Sequence, residues 1–133
     1  MNKKFIALHQ ASDNSTVILN SECVILATTS VYGNTALVTV DNKSTNTKHT
    51  FYMNESVERV RAMLSEAEVA TVLVHGCNNN DEILITTNNI FSIIETKRCY
   101  RGKQTVGSTI YLQQEFVGSI ECNETYAKVV NQL

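Results

Sequence analysis

The sequence predicts an α+β fold, mostly β: two tandem repeats of a five-strand meander or small barrel-like unit, each closed by a short C-terminal helix. Three observations carry this. Displaced by 66 positions, FIALHQASDNSTVILNSECVILATT (5–29) falls on TVLVHGCNNNDEILITTNNIFSIIE (71–95) with its apolar positions in step. Displaced by 69, FYMNESVERVRAML (51–64) falls on IECNETYAKVVNQL (120–133). Between these anchors, short apolar runs alternate with Asn-, Asp- and Gly-containing stretches, which is the pattern of strands separated by turns. A recurring period of this kind marks stacked supersecondary units. The boundaries that follow are 1–66 and 67–133, with the extra residues of the second unit in its middle loop near CYRGKQTVG.

Each element has a local reason. The first apolar runs (4–9 and 70–75) lead into Asx-rich stretches, SDNS and NNND. Asn and Asp accept left-handed backbone, so these predict hairpin turns. Strands over 16–19 and 82–86 follow, then strands over 23–29 and 90–96. Gly33 and Gly102 mark the next turns, and strands over 35–40 and 107–113, then 48–53 and 115–121, complete each meander. The motif Asn-Glu-Ser or Asn-Glu-Thr opens a helix, with Ser56 and Thr125 as N-caps that accept amide protons of the first turn. Val57, Val60 and Leu64 form one apolar face, as do Tyr126, Val129, Val130 and Leu133. The linker SEAEV (65–69) is short and lacks Gly and Pro, so the two units are expected to be fixed relative to each other.

Composition bounds the function. A unit of about 65 residues buries only about 60% of its unfolded surface and is marginal alone, so the units are expected to pack on each other or on a partner. Residues 1–66 carry six basic and six acidic residues, and residues 67–133 carry five and seven. Neither half presents a field that would draw nucleic acid or anionic membrane non-specifically. The opening MNKKFIALHQ holds only four consecutive apolar residues, short of the roughly 7–15 of a secretory signal. No run reaches the roughly 18 apolar residues of a membrane span. A cytoplasmic protein with no membrane partner is therefore expected. Cys23, Cys77, Cys99 and Cys122 form no C-x-x-C pair and occupy non-matching positions, which predicts free thiols rather than a disulfide framework or a metal site.

The ending N-E-[ST], then an apolar or aromatic residue, then V and L at helical spacing, resembles the small flagellar FlbD-like proteins and related short proteins of bacterial and phage genomes. The segments that carry the resemblance are NSECVILAT with MNESVERVRAML, and ITTNNIFSIIE with CNETYAKVVNQL. The resemblance implies a β-rich fold, a bacterial or phage origin (so a host-cytoplasmic or virion location if phage-encoded), and a non-enzymatic, assembly-associated role. It implies no catalytic residues. The tandem arrangement departs from that family's single copy.

Few residues suggest chemistry. The sequence has no phosphate-cradling Gly loop, no H-E-x-x-H and no G-x-S-x-G. His9 and His75 are equivalent, yet one His per unit lacks the further ligands a metal needs. Glu55 and Glu124 also recur, just ahead of a helix N-terminus, where negative charge favours the helix dipole. The one local charge feature is the hairpin TKRCYRGK, where Lys97, Arg98, Arg101 and Lys103 surround Tyr100; Tyr32 holds the matching position in the first unit. Cations around an aromatic ring can clamp phosphate and stack a base. Two functions follow as expectations. The first is a non-enzymatic interaction or assembly module, homo-oligomeric or bound to a protein partner, without catalytic residues, metal or cofactor. The second is a protein that binds a nucleotide or nucleic acid through the basic hairpin, for example a viral protein that sequesters such a ligand.

Overall fold

The computed structural model describes residues 4–30, 35–77, 80–100, 102–115 and 117–133. The first half runs β1 (Phe5–His9), β2 (Thr16–Asn20), a 3₁₀ turn (Ser21–Cys23), β3 (Val24–Thr29), β4 (Ala36–Asn42), β5 (Thr47–Met53) and α1 (Val57–Glu66). The second half runs the same order: β6 (Thr71–His75), β7 (Glu82–Thr86), a 3₁₀ turn (Thr87–Asn89), β8 (Ile90–Tyr100), β9 (Lys103–Leu112), β10 (Ser119–Cys122) and α2 (Tyr126–Val130).

The hairpins form as their alternation dictates. In β1, Ile6 and Leu8 are buried; in β6, Val72 and Val74 are. The turns close through Asn14 and Asn80, at φ 60° and 59°. Asn enters this left-handed region at less cost than most residues. In the first turn the Gln10 N–H donates to the Ser15 carbonyl and Asn14 N–H to the Gln10 carbonyl; in the second, Gly76 and Asp81, and Asn80 and Gly76, repeat both bonds.

Of the two forms expected for each half, a five-strand meander or a small barrel-like unit, the consecutive meander does not form. Residues Ser21–Cys23 and Thr87–Asn89 coil into 3₁₀ turns after each hairpin, so β3 and β8 do not fold back onto β2 and β7 of their own half. Three ladders result: β1-β2, β5-β4-β3-β7-β6 and β10-β9-β8. Single bridges, Gln10 to Met53 and Gly76 to Cys122, tie β1 to β5 and β6 to β10. Among the described residues the ten strands therefore follow one order through these bridges, β2-β1-β5-β4-β3-β7-β6-β10-β9-β8. Its centre is the antiparallel pair β3–β7, with Leu26 opposite Ile85, Ala27 opposite Leu84 and Thr28 opposite Ile83.

That central pair exchanges core residues. Leu84 of the second half packs with Leu8, Val38, Met53, Val60 and Leu64 of the first. Ile25 and Leu26 of the first half pack with Val72, Val74, Ile110, Leu112 and Val129 of the second. Thr86 reinforces the exchange, donating its hydroxyl to the carbonyls of Val24 (2.9 Å) and Ile25 (3.1 Å).

Two further expectations need correction. The stretch near CYRGKQTVG, expected as an enlarged middle loop, is drawn into a long hairpin: β8 and β9 pair from Ser92–Tyr111 out to Tyr100–Lys103, with Gly102 at φ 76° in the turn. The second helix does not lay four apolar residues on the sheet. α2 ends at Val130 and buries Val129 alone; Tyr126 and Leu133 are exposed. The Gln132 amide instead grips β6 as a strand would, accepting from Leu73 N–H at 2.8 Å and donating to its carbonyl at 2.9 Å. α1 matches its pattern, burying Val57, Val60 and Leu64 under the N-cap of Ser56, whose hydroxyl accepts from Arg59 N–H at 3.1 Å.

Because each half's core contains side chains of the other, the chain should unfold as one unit. Leu84→Ala removes a side chain that is 1% exposed from the first half's core, and should cost about 2–5 kcal/mol. Urea unfolding followed by circular dichroism should remain a single transition with an unchanged slope; two separated transitions would contradict a shared core.

Candidate functional site

The residues that recur in both halves meet at the end of each first strand. His9 closes β1, and Glu55 stands one residue before the N-cap of α1. One Glu55 oxygen accepts the backbone N–H of His9 at 2.9 Å, and the other meets the His9 ring Nδ1 at 2.7 Å. His75 and Glu124 repeat this at 2.8 Å and 2.7 Å. The neighbouring asparagines complete each clamp. Asn54 N–H donates to the His9 carbonyl, and Asn54 Nδ2 donates to Asn14 Oδ1 at 2.8 Å. Asn123 does the same with His75 and with Asn80 Oδ1 at 3.1 Å.

The electrostatics follow from this geometry. Burial acts to raise the Glu55 and Glu124 carboxyls, but the hydrogen bonds from each histidine's ring and backbone N–H outweigh it and hold both below the ordinary carboxylate value. Since an ionised carboxylate only accepts, the ring Nδ1 is the donor in each pair. A carboxylate-oriented imidazole of this kind can serve a catalytic base or a metal ligand. Among the described residues no group of three or more His, Cys, Asp and Glu could hold a metal ion. The His9 and His75 carbonyls accept from the backbone N–H of Asn54 and Asn123. The clamps lock the end of one strand to the start of one helix.

The basic hairpin expected to bind phosphate is only partly described. Lys97, Arg98 and Tyr100 lie in β8 and Lys103 in β9, and Lys97 is exposed. The side chains of Arg98, Tyr100 and Lys103, together with Arg101 and Tyr32, lie outside the described residues. A cleft of about 540 Å³ opens on the first half beside the start of β7, lined by Thr29, Thr35, Asn54, Glu58 and Glu82. Its two carboxylates disfavour a phosphate ligand. No disulfide joins Cys23, Cys77 and Cys122.

In the sequence the histidines and the glutamates stand 46 and 49 residues apart, and no local pattern pairs them. The available signal was that two ionisable residues recur once per half at matching places, which is what a repeated contact requires. No family model matches the chain, and neither a curated protein nor a solved structure matches it.

Glu55→Gln keeps an acceptor for His9 but removes the charge. It should cost roughly 1–2 kcal/mol at neutral pH, the scale of a hydrogen bond to a charged group in a partly solvated place. A carboxyl depressed in the folded state contributes its full stability above about pH 4.3, and loses it as pH falls through the depressed value. The gap between wild type and variant in urea unfolding should therefore narrow from pH 7 to about pH 3. A gap independent of pH would show that the charge is not what holds the clamp.

Proposed function

We propose that this chain is a non-enzymatic interaction and assembly module, made of two repeats of one β unit (1–66 and 67–133), that binds protein through its outer strand edges. The observation that carries this reading is the exposure of large apolar side chains on the two terminal strands: Ile18 at 52% on β2, and Phe91 at 74% and Ile94 at 51% on β8. An unpaired edge is a template for another strand, and soluble proteins normally blunt such edges with charge, Pro or a cover. Here apolar residues stand on them, which favours docking. The repeat is supported by matching hairpin registers, matching bulges after Val24 and Ile90, and the two clamps. The likeness to FlbD-like proteins supports the same assembly role, in a bacterial cytoplasm or, for a phage protein, in the host cytoplasm or virion. Among the described residues no helix is long and apolar enough to cross a membrane.

A second reading is a nucleotide or nucleic-acid ligand on the β8–β9 hairpin. Its support is that β8 spans 11 residues against the 6 of β3, which carries Lys97 beyond the sheet's common outline. On this reading, Arg98→Glu with Arg101→Glu should abolish binding of a fluorescent oligonucleotide.

Amide hydrogen exchange combined with native mass spectrometry tests the first reading. Protein assembled with its partner should show slow exchange along β2 and β8 and no nucleotide adduct. Fast exchange at both edges in every complex, or a monomer carrying nucleotide mass, would overturn it.

A further inference from the structure

The central pair β3–β7 is asymmetric in a way that leaves its own complement unused. Under the displacement of 66, β8 is the counterpart of β3, and β2 is the counterpart of β7. The bulge between Val24 and Leu26 recurs between Ile90 and Ser92, so Phe91 stands where Ile25 stands. The pairing Val72–Ile85 recurs as Ile6–Leu19, so Ile18 stands where Leu84 stands. Ile25 and Leu84 are 0% and 1% exposed, each inserted in the other half's core. Phe91 and Ile18 are 74% and 52% exposed. Among the described residues, no strand pairs with the outer edge of β2 or β8, the two ends of the ten-strand order. The molecule thus ends in the two surfaces that, in its middle, bind each other.

We propose that the partner of these edges is a second copy of this chain, joined head to tail by β8 of one molecule on β2 of the next. This rests on the assembly reading above and names its occupant. The internal pair dictates the register. Leu26–Ile85, Ala27–Leu84 and Thr28–Ile83 translate to Ser92 on Leu19, Ile93 on Ile18 and Ile94 on Val17 of the neighbour. Phe91 takes the place of Ile25, against the neighbour's Ile6 and Leu19, which correspond to Val72 and Ile85. The polar contact has a substitute too. Asn20 replaces Thr86, and its amide NH₂ can donate to the carbonyls of Ile90 and Phe91 as Thr86 donates to Val24 and Ile25. A contact between two different surfaces repeats from chain to chain, closing into a ring where the rotation allows and extending as a filament otherwise.

The test uses two variants of the full chain, each blocking one edge: Ile18→Arg on β2 and Phe91→Asp on β8. Both side chains are exposed, and unchanged thermal unfolding of each variant confirms folding. By light scattering after gel filtration, the wild type should exceed one chain mass, each variant alone should fall to a single chain, and an equimolar mixture should form a 1:1 dimer. The dimer arises because the mixture retains one intact β8 edge and one intact β2 edge. Phe91→Ile, the residue of the internal junction, should keep the wild-type mass. A single variant that still dimerises would mean like edges pair, overturning the head-to-tail arrangement while leaving the assembly reading standing. A wild type that is monomeric at its highest soluble concentration would overturn self-association, and protection of β2 and β8 by a different protein would then decide the assembly reading.

Discussion

The structure depends on the antiparallel contact between β3 and β7. Three residue pairs bring the halves together, but the energetic weight lies in the side chains they carry across. Leu84 completes the first core, and Ile25 and Leu26 complete the second. Burying a large aliphatic side chain is worth roughly 1.5–3 kcal/mol, so a few such residues match a sizeable part of a small domain's net stability. A chain segment as short as either half is marginal alone, and the exchange gives each core side chains from the other half. The Thr86 hydroxyl, buried with two carbonyls of β3, removes the polar cost of closing that contact.

The clamps perform a different task. A short strand and a short helix are each weak by themselves. His9 with Glu55, and His75 with Glu124, join them by a carboxylate that satisfies both a backbone N–H and a ring nitrogen. The left-handed asparagines Asn14 and Asn80 supply the second hold, because their turns present a side-chain oxygen to Asn54 and Asn123. Each clamp closes one corner of its half, while among the described residues the outer edges of β2 and β8 pair with no strand.

What the sequence by itself determined was local. Apolar alternation set the strands to within a few residues, Asx clusters set the turns, and Ser56 and Thr125 set the helix starts, because each is a property of residues close along the chain. The near-neutral charge balance followed from composition. The tertiary structure alone decided the rest. Whether β3 returns to β2 or runs to β7 depends on the 3₁₀ turns and on which edge offers a core to enter, and apolar pattern is the same in either case. The pairing of His9 with Glu55 spans 46 residues, so no spacing rule reveals it. Leu133 continues the apolar pattern of the second helix yet stays exposed, since Gln132 had already captured the backbone of Leu73. Phe91 and Ile25 look alike as apolar strand residues, and only the packing of β3 against the second half separates the buried one from the one left on an open edge.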